Sequence, residues 1–261
     1  MVPVRNGLSA SLAALVVLLA VLEATPGMGI LGWATGLACG LVLCVAAARS
    51  ASNERVESFG PADLVTLARA TLSCGVAALV ADSFARDAAP GTQVGTLVAI
   101  AAVALALDAV DGRVARLTGT VSRFGGRLDG EADAFLMLVL SLFVGGSVVA
   151  HSARPWVLAI AVLAMGMARY LFAMGGWALA WMRAQLPPRY WRKVVTATAG
   201  IALVFAAADV ATPEATYAVL AVALVLLAES FGRDVWWLWR HRPGEAAEAS
   251  REATPARLRS P

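Results

Sequence analysis

Histidine occurs only twice in these 261 residues, at His151 and His241, each isolated from any partner spacing. That scarcity argues against histidine-based catalysis and against a zinc centre. Cysteine occurs three times, at Cys39, Cys44 and Cys74, always inside an apolar run and never as a CxxC pair. No metal spacing can be made from them, so they are expected as buried core thiols. Lysine is nearly absent: of 21 basic residues, all but Lys193 are arginine. Charged residues make up only 15% of the chain, against about 25% in an ordinary soluble domain. Hydrophobic residues reach 59% and the mean hydropathy is +0.73. This balance excludes a soluble globular protein and points to a polytopic membrane protein. The net charge of +3 is then a matter of membrane topology and not of nucleic-acid binding.

A spanning helix needs about 20 apolar residues. Eight runs qualify, near 8–24, 29–49, 62–81, 93–117, 127–150, 155–182, 193–210 and 214–239. Pro26-Gly27, Gly60-Pro61, Pro90-Gly91, Pro187-Pro188 and Pro213 punctuate them. The first run is expected to stay as a membrane helix, because Glu23-Ala24-Thr25-Pro26 makes a poor signal cleavage site. With the N-terminus in the cytoplasm, Arg5, Arg49, Arg55, Arg123, Arg127, Arg183, Arg189, Arg192, Lys193, Arg240 and Arg242 all fall inside. The opposite loops then carry only Arg86 and Arg154 among bases. This asymmetry predicts a multi-pass protein of the cell's cytoplasmic membrane with both termini cytoplasmic.

The chain divides by composition. Residues 1–50 read as an accessory transmembrane hairpin, with Gly32, Gly36 and Gly40 on one face of its second helix for close packing. Residues 51–60 read as a cytoplasmic linker, 61–240 as a six-helix catalytic core, and 241–261 as a disordered cytoplasmic tail rich in Ala, Glu, Arg and Pro. The expected fold is an all-α integral membrane protein of about eight transmembrane helices.

Against that apolar background, the stretch Leu107–Phe135 sets Asp108, Asp111, Asp129 and Asp133 within the membrane. Four carboxylates there are very costly unless they bind something cationic. Spacing i,i+3 puts Asp108 and Asp111 on one helix face, and i,i+4 does the same for Asp129 and Asp133. A turn centred near Val121 would set Asp108 opposite Ala134 and Asp111 opposite Glu131 in an antiparallel hairpin. All four aspartates then gather about 10 Å beneath the cytoplasmic face, at about 1.5 Å of rise per residue. The same count brings Arg69, Arg169 and Glu229 to that level. Residues from five helices are thus expected to line one polar cavity opening to the cytoplasm, with buried ion pairing as the alternative for Arg69, Arg169 and Glu229. Clustered carboxylates without His or Cys are hard oxygen ligands, suited to Mg²⁺ or Mn²⁺. Four can hold two ions, a site suited to attack on phosphorus by an activated oxygen.

Gly112, Ala115, Arg116 and Gly125 complete the pattern D-x2-D-G-x2-A-R-x8-G-x3-D-x3-D from Asp108 to Asp133. The chain resembles the CDP-alcohol phosphatidyltransferase family at all eight fixed positions. The resemblance implies transfer of a substituted phosphate, such as phosphatidyl, from a CDP-linked donor to an alcohol in phospholipid synthesis, with release of CMP. It implies one metal held by Asp108, Asp111 and Asp129, a second by Asp108, Asp129 and Asp133, and Asp133 as base for the acceptor hydroxyl. It implies nucleotide or donor contacts at Gly112, Arg116 and Ser122. Upstream, Asp63-Leu64-Val65-Thr66-Leu67-Ala68-Arg69 is similar to the family's P-N-x-x-T-x-x-R, with Asp63 in place of Asn. This adds Asp63, Thr66 and Arg69 to the expected donor contacts. Lys193 and Thr196 match a family pattern found in glycerophosphate-accepting members.

The expected partners are a CDP-linked lipid donor such as CDP-diacylglycerol, an alcohol acceptor and the bilayer; a homodimer is common in the family. Arg169, Arg192 and Lys193 are the candidate acceptor contacts, with Arg183 and Arg189 nearby. The acceptor stays open among inositol phosphate, glycerol phosphate, serine and others, and a soluble CDP-alcohol is the alternative donor. The competing readings are an intramembrane prenyltransferase and a cation- or proton-coupled transporter. Paired aspartate motifs in separate halves would mark the first and internal repeats the second; neither is present.

Overall fold

Among the described residues, eight α-helices follow the eight apolar runs. The computed structural model describes residues 1–86, 91–118, 123–147, 155–184, 186–187 and 189–242. The helices are α1 (Val4–Ala24), α2 (Ile30–Asn53), α3 (Pro61–Ala85), α4 (Gly91–Thr118), α5 (Arg123–Ser147), α6 (Pro155–Ala178), α7 (Tyr190–Ala208) and α8 (Pro213–Arg240). Seven are long and apolar enough to cross a bilayer. The eighth, α5, carries Arg123, Arg127, Asp129, Glu131 and Asp133 in its first three turns and is apolar thereafter. The protein is an all-α integral membrane protein with a six-helix core, α3 to α8, behind a two-helix hairpin. Exposed Val17, Val42, Ile160, Leu171 and Val225 mark the apolar outer surface, suited to lipid contact.

Local chemistry sets the helix ends. Pro61 opens α3 where its missing N–H costs nothing, and the Asp63 carboxylate accepts the Gly60 N–H at 2.9 Å. Thr212 and Pro213 start α8, with the Thr212 hydroxyl accepting from the Ala215 N–H. Helix α6 stops at Ala178 instead of the expected 182. There the Arg183 guanidinium turns back through a short 3-10 turn to donate to the carbonyls of Gly176 (2.9 Å) and Trp177 (3.0 Å). Arg183 is thus a helix cap in this structure. The expected turn centre at Val121 and the tail from Pro243 to Pro261 lie outside the described residues.

The hairpin is fastened to the core at both ends. The expected linker 51–60 begins inside α2, which runs to Asn53, and its remainder forms a strap: Val2–Pro3 (β1) pairs antiparallel with Ser58–Phe59 (β2), in the register Val2↔Phe59. Two-residue strands carry no readable periodicity, so the sequence could not show this pairing. Phe59 is fully buried and stacks on Phe124 at the start of α5, centroids 5.5 Å apart. At the other end the Gly29 N–H donates to Asp82 Oδ1 of α3 (2.8 Å), while Gln93 of α4 donates to Oδ2. Arg86 pairs with the same carboxylate at 3.0 Å.

The glycine face of α2 lies against α1 and α3. A methyl group on Gly36 would sit 2.7 Å from Leu19 Cδ2 and 3.2 Å from the Ala78 methyl. Gly36→Val is therefore expected to destabilise the protein by about 1–3 kcal/mol through overpacking, read as a lowered unfolding midpoint in detergent. Cys74 is buried, but Cys39 and Cys44 are only half-buried. They sit on the outer hairpin, where α1 and α2 each keep an exposed apolar side that includes Val17 and Val42.

Helix α3 is the centre of the bundle. Of its 18-residue apolar stretch 72% is buried, against 39% or less in the other six spanning helices. Helices α1 and α2 cover one side, and α4 and α5 pack on the other. The expected direct packing of α4 on α5 is at most slight among the described residues; α3 packs broadly on both instead. Electrostatics supplies the reason. Acids from α4 facing acids from α5 across a membrane interior need a counter-charge, and α3 brings Arg69.

Candidate active site

Three acids converge at the point where α3, α4 and α5 meet. Asp108 comes from α4, and Asp129 and Asp133 come from successive turns of α5. Each offers a carboxylate oxygen, and these oxygens all lie within 4.8 Å of one another. The Arg69 guanidinium joins them: Nη1 reaches Asp108 Oδ1 at 2.5 Å, and Nη2 reaches Asp129 Oδ1 at 2.5 Å and Asp133 Oδ1 at 3.1 Å. Nη2 also donates to the backbone carbonyl of Asp129 at 3.1 Å. Arg69 is 1% exposed, whereas the three carboxylates are about a third exposed. A half-open set of oxygen donors without nitrogen or sulfur fits a hard divalent cation.

The open side of the acids faces a cavity of about 370 Å³ lined by α4, α5, α6, α7, α8 and the α6–α7 connection. Asp108, Asp129 and Asp133 form one polar wall. Arg169, Arg192, Lys193, Ser230 and Asp234 bring further polar groups. Between them lie Leu105, Met137, Leu140, Met165, Phe172 and Phe231, so most of the surface is apolar. One cavity therefore offers an acidic corner, a mixed-charge corner and an apolar wall. That combination suits a charged headgroup carried on a lipid tail.

Five helices line the cavity, as expected, but they are not the expected five. Arg69 stands behind the carboxylates and does not line it. Glu229 also stays outside: it pairs with Arg233 one turn on and accepts from Trp191 Nε1 at 3.3 Å. Asp234 takes its place. The buried face of α8 runs Leu220, Ala223, Leu227, Ser230, Asp234 and Leu238. Glu229 sits about 100° off that stripe. Depth placed it at the right level, but only its azimuth excludes it, and the spacing from Leu227 to Asp234 carries that signal.

The expected acceptor contacts have partners of their own. Arg169 Nη2 pairs with Glu131 at 3.0 Å and lies over Gly130, where a side chain would meet its guanidinium at 2.8 Å. Arg192 donates to the Pro187 carbonyl at 2.5 Å and pairs with Asp234 at 3.5 Å. It thus joins the α6–α7 connection to α7 and α8. Lys193 lines the cavity beside it. Of the expected donor contacts, Asp63 is buried as the cap of α3, and the Thr66 hydroxyl donates to the Ala62 carbonyl at 3.1 Å. Neither lines the cavity. Asp111, Gly112 and Arg116 continue α4 beyond Asp108; their side chains, and Ser122 altogether, lie outside the described residues.

The family model for CDP-alcohol phosphatidyltransferase matches residues 59–228, more than half of the chain, from the end of the strap into α8. The match leaves the N-terminal hairpin outside. No curated protein and no solved structure matches the chain.

Proposed function

Since the chain belongs to the CDP-alcohol phosphatidyltransferase family, we propose that it moves a phosphatidyl group from CDP-diacylglycerol to a small alcohol and releases CMP. Membership makes it a multi-pass membrane enzyme that transfers phosphate-linked groups from a CDP-alcohol. The observation that carries the finer reading is the cavity itself, with three convergent carboxylates on one wall and an apolar surface beside them.

The proposed roles combine the family resemblance with the placement of the described residues. Asp108, Asp129 and Asp133, with Asp111 one turn along α4, would hold two Mg²⁺ or Mn²⁺ ions. Bound there, such ions would supply positive charge to the diphosphate and to the leaving phosphate. Gly112 and Arg116 follow Asp108 at four-residue intervals, the spacing of one helix face, and take the cytidine diphosphate. Leu140, Met165 and Phe172 accept the acyl chains. The acceptor enters beside Arg192, Lys193 and Asp234. Asp133 takes the proton from the acceptor hydroxyl as the new oxygen–phosphorus bond forms. The bond from phosphorus to the CMP oxygen breaks, and CMP leaves with that electron pair. Arginine asymmetry supports a site on the cytoplasmic side together with both termini, and we assign catalysis to residues 61–240.

Purified protein given CDP-diacylglycerol, Mg²⁺ or Mn²⁺ and a panel of alcohols is expected to release CMP with at least one acceptor. EDTA is expected to reduce that release to background, and added Mn²⁺ to restore it. Folded protein that releases no CMP with any acceptor contradicts the proposal.

A further inference from the structure

The resemblance puts Arg69 among the groups that touch the donor, and its surroundings give it a different task. Its side chain is 1% exposed and absent from the cavity wall, while all three acids it pairs with stand on that wall. A donor in the cavity meets the carboxylates first. Helices α4 and α5, which supply those acids, have little direct contact among the described residues. The planar fork of one guanidinium spans them: Nη1 takes Asp108 of α4, and Nη2 takes Asp129 and Asp133 of α5. The bond from Nη2 to the Asp129 carbonyl fixes the α5 backbone as well as its side chain. Helix α3 is the most enclosed element of the bundle, so the fork is held on a rigid support.

We propose that Arg69 is a positioning residue. Its guanidinium, set behind the acids, holds Asp108, Asp129 and Asp133 in the mutual arrangement that receives divalent cations, and it offsets their repulsion. The assignment rests on the reading of those acids as the cation site in the proposed function. A compact ammonium cannot make the two-sided fork, although it keeps the charge. A glutamine keeps a planar donor and loses the charge.

Full-length Arg69→Lys and Arg69→Gln proteins in detergent separate these contributions. Mn²⁺ affinity is read by electron paramagnetic resonance, and turnover and donor KM are read at saturating Mn²⁺. Arg69→Gln is expected to lose about 10–100-fold in Mn²⁺ affinity, the loss seen when an orienting partner of a metal ligand is removed. Arg69→Lys should recover part of that loss, and donor KM should change by less than about threefold in both. Unchanged Mn²⁺ affinity in both folded variants overturns the proposal. So does a rise of about 100-fold in donor KM with Mn²⁺ affinity kept, since that marks a direct donor contact. A wild-type protein that binds Mn²⁺ but releases no CMP defeats the proposed reaction alone. The effect of Arg69 on Mn²⁺ affinity then still decides this inference.

Discussion

Asp129→Asn protein is expected to insert and fold, and to lose more than about 100-fold of its CMP release; losing a partner that only orients a metal ligand already costs about 10–100-fold. Asparagine keeps the shape of the side chain and removes its charge. The fold survives because Arg69 retains Asp108 at 2.5 Å, Asp133 at 3.1 Å and the Asp129 carbonyl at 3.1 Å. The guanidinium is therefore never left buried without an anion, the situation that makes broken ion pairs so damaging. What disappears is a carboxylate oxygen on the cavity wall, within 4.8 Å of those of Asp108 and Asp133. Glu54→Gln supplies the control. Glu54 pairs with the exposed Arg127 at 3.2 Å, a contact worth about 1 kcal/mol at most, and its loss should leave turnover intact.

The second large effect is structural. Phe59→Ala is expected to cost about 3–5 kcal/mol of stability, the range for emptying an aromatic from a packed core. Phe59 is 0% exposed and belongs to a small cluster with Ala47, Ala51, Leu67, Phe124 and Leu128. That cluster draws on α2, α3 and α5, and Phe59 itself closes the strap to Val2. The near-parallel stack on Phe124, 13° between planes, adds to the area term. Phe124 lies five residues before Asp129 on α5. Loosening the cluster should thus lower turnover along with the melting temperature measured in detergent. A variant that melts like the wild type shows that the strap does not hold α5.

Helix number and membrane character were legible because apolar runs of span length depend on composition alone. The approach of Asp108 to Asp129 and Asp133 was legible because helical rise fixes depth and i,i+4 spacing fixes a face. The partner of those acids was harder to read. Arg69 was placed at the right depth, yet its position behind the carboxylates depends on α3 meeting both α4 and α5, which no local pattern records. The same limit separates Asp234 from Glu229: both lie near the right depth on α8, and only one lies on its buried stripe. The strap of Val2–Pro3 on Ser58–Phe59 was illegible because it joins residues more than fifty positions apart through backbone groups. Those groups are the same in every sequence.

All of these features serve one claim, that the cavity wall bearing Asp108, Asp129 and Asp133 is a divalent-cation site for a CDP-linked substrate. Titration of the purified protein with Mn²⁺ in the presence of CDP, followed by electron paramagnetic resonance, addresses it most directly. Two Mn²⁺ per chain with the spectrum of a coupled pair are expected, with loss of that signal in Asp129→Asn. No Mn²⁺ bound by the wild type, or the same binding in Asp129→Asn, would contradict it.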